Sequence, residues 1–243
     1  MANWRYLLFI GIMLFCYRTH AETIEIGAEN DWIPYSKADG TGMANDIVKA
    51  AYASVGINVK LVIQPYTRLL KLVEAGELLG AFNVPKDTEI TSRFLLGKEA
   101  LYIAHSDYYQ NTHKPLGAKN RNELHNAHIA VVSNYGYGNH YLQSVATKQI
   151  IPVTTHAETL NLKMLAAGRV DGTILYSKTA NILLKQLNLT GQIERAFENE
   201  SIPIYLAFSR KSPRRSQWYA DKLDAGLANI KASGEYQKII DSY

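Results

Sequence analysis

Aromatic and polar side chains follow the ends of several strands that the sequence predicts. These residues are Glu29–Trp32, Tyr66, Asn83, Asn134–Tyr137 and Tyr176. In open α/β sheets the ligand crevice lies outside the carboxyl ends of the strands, so we expect these side chains to line one cleft. Helices that begin at this edge present free N–H groups, which suit an anion or a polar head group. The sequence therefore predicts a polar, partly aromatic cleft with few formal charges.

A catalytic or metal site has no comparable signal. The chain contains no Gly-x-Ser-x-Gly, no phosphate-binding loop and no His-Glu-x-x-His sequence. His125 and His128 are close in sequence but lack a third ligand nearby, which favours solvated histidines over a metal site. Glu29 is the one acid that the predicted cleft offers for acid–base chemistry. We expect a protein that is not an enzyme and that uses no metal and no cofactor.

A repeated helix–glycine–strand pattern positions part of this cleft. Residues 66–86 predict an amphipathic helix that stops at Gly76, followed by a strand over Leu78–Val84 that Pro85 ends. The same pattern returns 92 positions later. Leu70-Lys71, Ala75-Gly76 and Gly80 correspond to Leu162-Lys163, Ala167-Gly168 and Gly172. The repeat predicts two similar α/β lobes, although glycine after a helix is common enough for a chance similarity.

The remaining elements alternate between strands and helices. Further strands are predicted over Thr23–Ala28, Asn58–Ile63, Leu101–His105, His128–Ser133, Ile150–Val153, Val170–Leu175 and Ile204–Ser209. Further helices are predicted over Met43–Val55, Glu158–Ala167, Ser177–Leu187, Trp218–Ser233 and Tyr236–Tyr243, and a glycine-bearing turn after Ser133 leads into one more. Short βαβα units of this kind indicate an α/β fold with a mainly parallel sheet flanked by helices.

The first 21 residues have the pattern of a signal peptide. Arg5 precedes the uncharged, mostly apolar stretch Tyr6–Tyr17, and Ala21 offers a small residue at the cleavage site. The stretch is shorter than the roughly 20 residues that span a bilayer, although a short uncleaved anchor is the alternative. The single cysteine, Cys16, follows Phe15 where a lipoprotein signal needs a small residue, so cleavage would leave a mature chain without cysteine. We expect a periplasmic protein with no stable membrane insertion.

Cleavage also lowers the net charge. It removes Arg5 and Arg18, so that 24 of the 26 basic residues remain against 22 acidic ones, and the net charge falls from +4 to +2. This weak charge argues against a nucleic-acid partner. The basic group Lys211, Arg214 and Arg215 is interpreted as a solvated turn around Pro213.

Five stretches resemble the bacterial extracellular solute-binding proteins of family 3, the polar-amino-acid type of periplasmic binding protein. They are IEIGAENDWIPYS with GTGMANDIVKAAYASVGINVKLV, PYTRLLKLVEAGELLGAFNV, IAVVSNYGYGNHY, LKMLAAGRVDG and LANIKASGEYQKIID. The resemblance implies two α/β lobes joined by two crossing strands, with the ligand between the lobes. Lobe 1 would comprise residues 22–105 plus 210–243, lobe 2 residues 110–200, and the hinge crossings residues 104–109 and 204–209.

The same resemblance suggests roles for two rings and shows a departure from the family. Trp32 and Tyr66 fall where the family places aromatic rings on either side of the ligand. The family's arginine for an α-carboxylate is missing, since Ile90-Thr91 occupy that window and Arg93 lies beyond it. The family's aspartate for an α-ammonium is replaced by Tyr176. Losing both counter-ions argues against a standard free α-amino acid as the ligand.

Other residues would then contact the ligand. Arg68 or Lys86 would meet an acidic group, with a surface or interlobe ion pair as the alternative for each. Glu29 would meet a cationic group or remain a solvated loop acid, and neutral hydrogen bonds would come from Asn83, Tyr135 and Tyr176. The complete predicted ligand-binding set is Glu29, Trp32, Tyr66, Arg68, Asn83, Lys86, Asn134, Tyr135 and Tyr176.

Three functions are compatible with this set. The first is a periplasmic receptor that captures a small polar solute, amino-acid-like or a derivative, and delivers it to an ABC permease in the inner membrane. The second is an enzyme on the same fold, similar to periplasmic dehydratases of cyclic acids, which would need a cleft acid or base of shifted pKa. The third is a ligand sensor that acts in trans on a membrane kinase. Fold alone does not decide between them.

Overall fold

The computed structural model describes residues 22–243, so the predicted signal peptide lies outside the described residues. The strands are β1 (Glu22–Glu29), β2 (Asp31–Trp32), β3 (Ser36–Lys37), β4 (Ile57–Gln64), β5 (Gly80–Pro85), β6 (Leu95–Leu96), β7 (Tyr102–Asn111), β8 (Ala127–Val132), β9 (Ile150–Thr155), β10 (Gly172–Tyr176) and β11 (Ile193–Phe208). The helices are α1 (Met43–Ala53), α2 (Tyr66–Ala75), α3 (Thr88–Arg93), α4 (Gly138–Ala146), α5 (Glu158–Ala166), α6 (Ser177–Gln186), α7 (Pro213–Ala232) and α8 (Glu235–Asp241), with a 3-10 turn at Arg121–Glu123.

A mixed sheet of nine strands runs through the whole molecule. Its order is β4-β1-β5-β11-β7-β10-β8-β9, and β6 pairs with β11 beside this path. The strands β4, β1 and β5 are parallel at one end, as are β10, β8 and β9 at the other. The predicted α/β class and the parallel arrangement of each half are therefore confirmed. The two halves are joined through antiparallel pairing of β5 with β11, β11 with β7, and β7 with β10.

The two middle strands, β7 and β11, are longer than the sequence predicted. They pair along their length, from Asn111 with Ile193 to Tyr102 with Ile204. The apolar run near residue 204 is only the last part of β11, which begins at Ile193. The prediction missed residues 193–203 because the segment IERAFENESIP has neither a continuous apolar run nor a regular alternation of apolar and polar residues. Their strand conformation follows from pairing with β7 rather than from local apolar pattern.

The helix predictions were correct in kind, with two corrections. The six-residue α3 was missed, although Asp87 supplies its N-cap by accepting a 2.8 Å hydrogen bond from the Ile90 N–H. The helix α7 starts at Pro213, five positions before the predicted start. Proline is well tolerated at the first helical position, so this residue begins the helix rather than forming a separate turn.

The apolar faces of the helices pack on the sheet in three clusters. The largest includes Ile26, Ile47 and Tyr52 of the first half together with Tyr108 and Ile174 of the second. Two smaller clusters lie under α2 and under α5 with α6. Within residues 22–243, no helix combines the length and apolar character needed to cross a membrane.

Candidate functional site

Both halves of the sheet place side chains on one small pocket. Glu29 ends β1, Asn83 and Pro85 lie on β5, and the neighbouring Trp32 and Tyr66 complete the wall from the first half. The turn after β8 brings Tyr135 and Gly136, and Tyr176 ends β10. The cavity that these residues enclose is about 10 Å³, room for about one water molecule. Typical ligand pockets measure roughly 300–1,000 Å³, so the two halves must move apart to admit a solute of several non-hydrogen atoms.

Glu29 is buried where the two halves meet. Its side chain is 3% exposed, and its Oε1 accepts a 2.6 Å hydrogen bond from the Tyr135 hydroxyl of the other half. The Tyr135 hydroxyl also contacts the Asp31 carbonyl oxygen at 3.1 Å. Burial raises the pKa of Glu29 to about 8, the Tyr135 hydrogen bond opposes this rise, and Asp31 adds to it. No basic side chain forms an ion pair with Glu29 among the described residues, so a negative charge on Glu29 would be uncompensated.

Aromatic rings from both halves surround this carboxyl group. The Trp32 ring centroid lies 4.8 Å from that of Tyr176, and the Tyr66 ring centroid lies 6.1 Å from that of Tyr135. Trp32 also packs on Tyr35 at 4.4 Å. Trp32 and Tyr66 both line the pocket, as their predicted role requires, and both contact rings of the second half. Their role in ligand binding remains a prediction.

Two buried hydrogen-bond donors of the pocket have no acceptor in the described part of the chain. They are Nε1 of Trp32, which is 4% exposed, and Nδ2 of Asn83, which is 2% exposed. The Asn83 amide is oriented by the Tyr102 hydroxyl, which donates to Asn83 Oδ1 at 2.8 Å. Buried polar groups are normally hydrogen-bonded, so two donors without acceptors in one pocket indicate a place for a hydrogen-bond acceptor.

Three predicted residues lie outside this pocket. Arg68 is exposed on α2, and Lys86 is exposed with its Nζ 5.6 Å from the Tyr205 ring centroid. Asn134 is exposed on the outer groove beside the pocket, where it donates to Ser133 Oγ at 3.1 Å. The remaining six predicted residues, Glu29, Trp32, Tyr66, Asn83, Tyr135 and Tyr176, are brought together around the pocket.

Arg93 is already paired on the surface. Its Nη2 lies 2.9 Å from Glu74 Oε2, and its Nη1 lies 2.8 Å from Glu89 Oε1. Two carboxylates therefore neutralise Arg93, the arginine nearest in sequence to the Ile90-Thr91 window where the family places its arginine for an α-carboxylate. No three His, Cys, Asp or Glu side chains within residues 22–243 are grouped so that they could hold a metal ion.

Glu158 is a buried acid near the site that sequence reasoning missed. It is the first residue of α5, and its Oε1 has no hydrogen-bond partner in the part of the chain that the structure describes. Burial, with smaller contributions from the charges of Glu29 and Asp31, raises the pKa of Glu158 to about 8. The 92-residue repeat offers a signal for it, because position 66 plus 92 is position 158. Tyr66 and Glu158 thus begin corresponding helices of the two halves.

Solved structures of similar fold include binding proteins and a sensor domain. A histidine kinase sensor domain with similarity to periplasmic binding proteins matches at a TM-score of 0.78 and 17% identity, over 91% of this chain and 95% of that chain. An ancestral arginine-binding protein bound to arginine matches at 0.76 and 17%, over 91% and 97%. The arginine-, lysine-, histidine-binding protein ArtJ from Geobacillus stearothermophilus matches at 0.74 and 18%, over 91% and 95%. At these identities the similarity shows the fold alone.

The sequence comparison extends over almost the whole described chain. No curated protein matches the chain in sequence. The family model described as bacterial extracellular solute-binding proteins, family 3, matches residues 24–243. This range includes both halves of the sheet and all the residues around the pocket. The chain therefore belongs to the bacterial extracellular solute-binding proteins of family 3.

Proposed function

We propose that the protein captures a small polar solute between two lobes that close around it. The observation that supports this most directly is the pocket at the junction of the halves, where Tyr135 of one half donates a hydrogen bond to buried Glu29 of the other. A ligand bound there would contact both halves and would favour the closed form over an open one. We expect a derivative of an amino acid or a similar solute rather than a standard free α-amino acid.

The proposed lobes follow the sheet. Lobe 1 comprises residues 22–105 plus 210–243, and lobe 2 comprises residues 110–200. The strands β7 and β11 carry the chain between them and would act as the hinge, since domain closure commonly bends a few residues in connecting strands. Residues Ile204–Phe208 already pair with β5 and β6, so we place the second crossing just before Ile204 rather than at 204–209.

The proposed use of the captured solute is uptake. The closed, loaded protein would deliver its solute from the periplasm to an ABC permease in the inner membrane, after export directed by residues 1–21. The alternative is a sensor that presents its closed form to a membrane kinase. It is favoured by the histidine kinase sensor domain that shares this fold. Both uses depend on the same binding step.

A catalytic role has one feature in its favour. Glu29 is a pocket acid whose pKa burial raises to about 8, as an acid–base catalyst would require. The family and the solved structures of similar fold are binding proteins, and we propose binding without turnover. Chromatography of any bound solute after prolonged incubation tests this, since recovery of an altered product would favour the enzyme.

A thermal-shift screen tests the binding function. The mature protein is mixed with amino acids, amines, small peptides and organic acids, and calorimetry then measures the affinity of any solute that raises the melting temperature. We expect Trp32→Ala to weaken binding by at least about tenfold, because it removes ring contacts and buried area from the pocket. The matched control is Trp218→Ala, since Trp218 is 46% exposed on α7. Binding that Trp32→Ala leaves unchanged would contradict the proposed site.

A further inference from the structure

The pocket combines one acid without a counter-ion, Glu29, with unused hydrogen-bond donors. Glu29 forms no ion pair with a basic side chain in the described chain, and Glu158 lies close enough for its pKa to be raised by Glu29. The donors are the buried Trp32 Nε1 and Asn83 Nδ2, each without an acceptor among residues 22–243. A ligand that satisfies all of these groups needs a positive charge and a hydrogen-bond acceptor.

The acceptor on the ligand cannot favourably be a carboxylate. The residues that line the pocket include no arginine, lysine or histidine. Arg93 is neutralised by Glu74 and Glu89, and Lys86 lies beside Tyr205 on the surface. A buried carboxylate without a counter-ion is strongly disfavoured, and here it would also be repelled by Glu29. An uncharged oxygen, such as that of an amide or a hydroxyl group, can accept the same two hydrogen bonds without this cost.

The aromatic walls favour the positive charge. Trp32, Tyr66, Tyr135 and Tyr176 all line the pocket, and the face of such a ring attracts a cation that lies within about 6 Å of its centroid. The charged and titratable groups around Glu29 are Asp31, Glu158 and these tyrosines, all of which are negative or neutral. These groups therefore favour a cation over an anion beside Glu29.

We propose that the ligand of this pocket is a small organic ammonium ion that carries an uncharged oxygen acceptor and no carboxylate, such as an amino amide or an amino alcohol. In this arrangement Glu29 pairs with the ammonium group, and Trp32 Nε1 and Asn83 Nδ2 donate to the oxygen. This inference rests on the proposed solute-binding function and specifies its ligand class.

A matched series on one carbon skeleton tests each part of the proposal. The probes are alaninamide and alaninol, which carry both groups, isopropylamine, which lacks the acceptor, propanamide, which lacks the charge, and alanine, which carries a carboxylate. Titration calorimetry on the mature protein is expected to show alaninamide or alaninol binding at least about tenfold more tightly than any of the other three. Tighter or equal binding of alanine or propanamide would overturn the assignment, and equal binding of isopropylamine would overturn its acceptor part.

Glu29→Gln provides the decisive variant. It retains the shape of the side chain and the partner for Tyr135 but removes the charge, so the preference for alaninamide over propanamide should fall by at least about tenfold while the circular dichroism spectrum stays unchanged. Glu25→Gln, at an exposed position of the same strand, should retain the preference. A preference that survives Glu29→Gln would overturn the role of Glu29.

The outcomes separate this inference from the function on which it rests. If the broad screen finds only neutral or carboxylate-bearing solutes that bind, and Trp32→Ala weakens them, the ligand class is wrong and the binding function stands. If neither the series nor the screen contains a solute that binds, the proposed function and the ligand class are both overturned.

Discussion

The ionisation of two buried glutamates is coupled to their burial in the folded protein. Glu29 and Glu158 belong to opposite halves of the molecule, and burial raises the pKa of each to about 8. Their ordinary value is 4.5, so the folded, unliganded protein holds two protons that the unfolded chain releases more readily. Closing the pocket without a cation therefore favours the neutral acids, whereas a bound cation favours the carboxylates.

The stability of the unliganded protein should decrease as the pH rises. A pKa that is higher in the folded state gives a stabilising contribution that is complete below about pH 4.5 and is lost as the pH rises through about 8. Glu29→Gln and Glu158→Gln should each reduce the loss of melting temperature between these two pH values, because glutamine does not titrate. Differential scanning calorimetry in matched buffers measures this. Glu25→Gln should retain the wild-type dependence, and two glutamine variants that also retain it would contradict the effect of burial.

Residue-scale geometry also explains which predicted ligands lie outside the pocket. Tyr66 and Arg68 are two positions apart on one helix, and residues at that spacing point to different sides, so a helix that places Tyr66 in the pocket turns Arg68 to solvent. Asn83 and Pro85 lie on β5 and line the pocket, whereas Lys86 is the first residue beyond this strand. Lys86 is exposed, with its Nζ near the Tyr205 ring rather than in the pocket. Closeness in sequence to a pocket residue therefore did not place Arg68 or Lys86 in the pocket.

At the scale of elements, the repeated helix–glycine–strand unit was predictable because the residues that end its helices are recognisable from local sequence. The C-cap of α2 is Gly76, with a φ of 82°, and Gly168, with a φ of 67°, directly follows Ala167, the C-cap of α5. Glycine is favoured there because it has no Cβ to clash in the left-handed region. The N-terminal part of β11 was not predictable in this way, since only its pairing with β7 makes it a strand. Glu158 was missed because a glutamate near a helix start ordinarily remains exposed.

The two glycines should respond differently to the same substitution. Gly168→Ala should cost about 1 kcal/mol of unfolding free energy, the price of placing alanine in the left-handed region, because the added Cβ meets no atom within 4 Å. Gly76→Ala should cost at least about 1 kcal/mol more, since overpacking adds to the same backbone strain. Its Cβ would lie 2.8 Å from Lys211 Cβ and 2.9 Å from Lys211 Cγ, atoms too close to the backbone to move freely. Urea unfolding measures both, and equal costs would contradict the packing argument.

At the scale of the whole molecule, the halves are held together by a continuous sheet and by contacts across the pocket. The sheet runs unbroken through β7 and β11. Across the pocket, Tyr135 binds Glu29, and Thr179 Oγ1 of the second half donates to the Ile33 carbonyl oxygen of the first at 2.6 Å. In the proposed opening of the lobes, the sheet would still link the halves, whereas these contacts across the pocket would separate. A change confined to those contacts should therefore alter closure without unfolding either half.

Gly136→Ala is such a change. Gly136 and Pro85 face each other across the pocket, and a Cβ on Gly136 would lie 2.3 Å from Pro85 Cγ, a ring atom that cannot rotate away. The methyl group should hold the halves apart. Affinity for any solute that binds the wild-type protein should therefore fall by at least about tenfold, because binding must then also overcome the steric clash that opposes closure. Small-angle scattering should show a larger radius of gyration for the variant with solute than for the wild type with solute, at a similar melting temperature without it. Ser133→Ala, an exposed change on the same turn, is the control that should close normally. If Gly136→Ala binds and compacts as the wild type does, the closure of these halves is not what captures the solute.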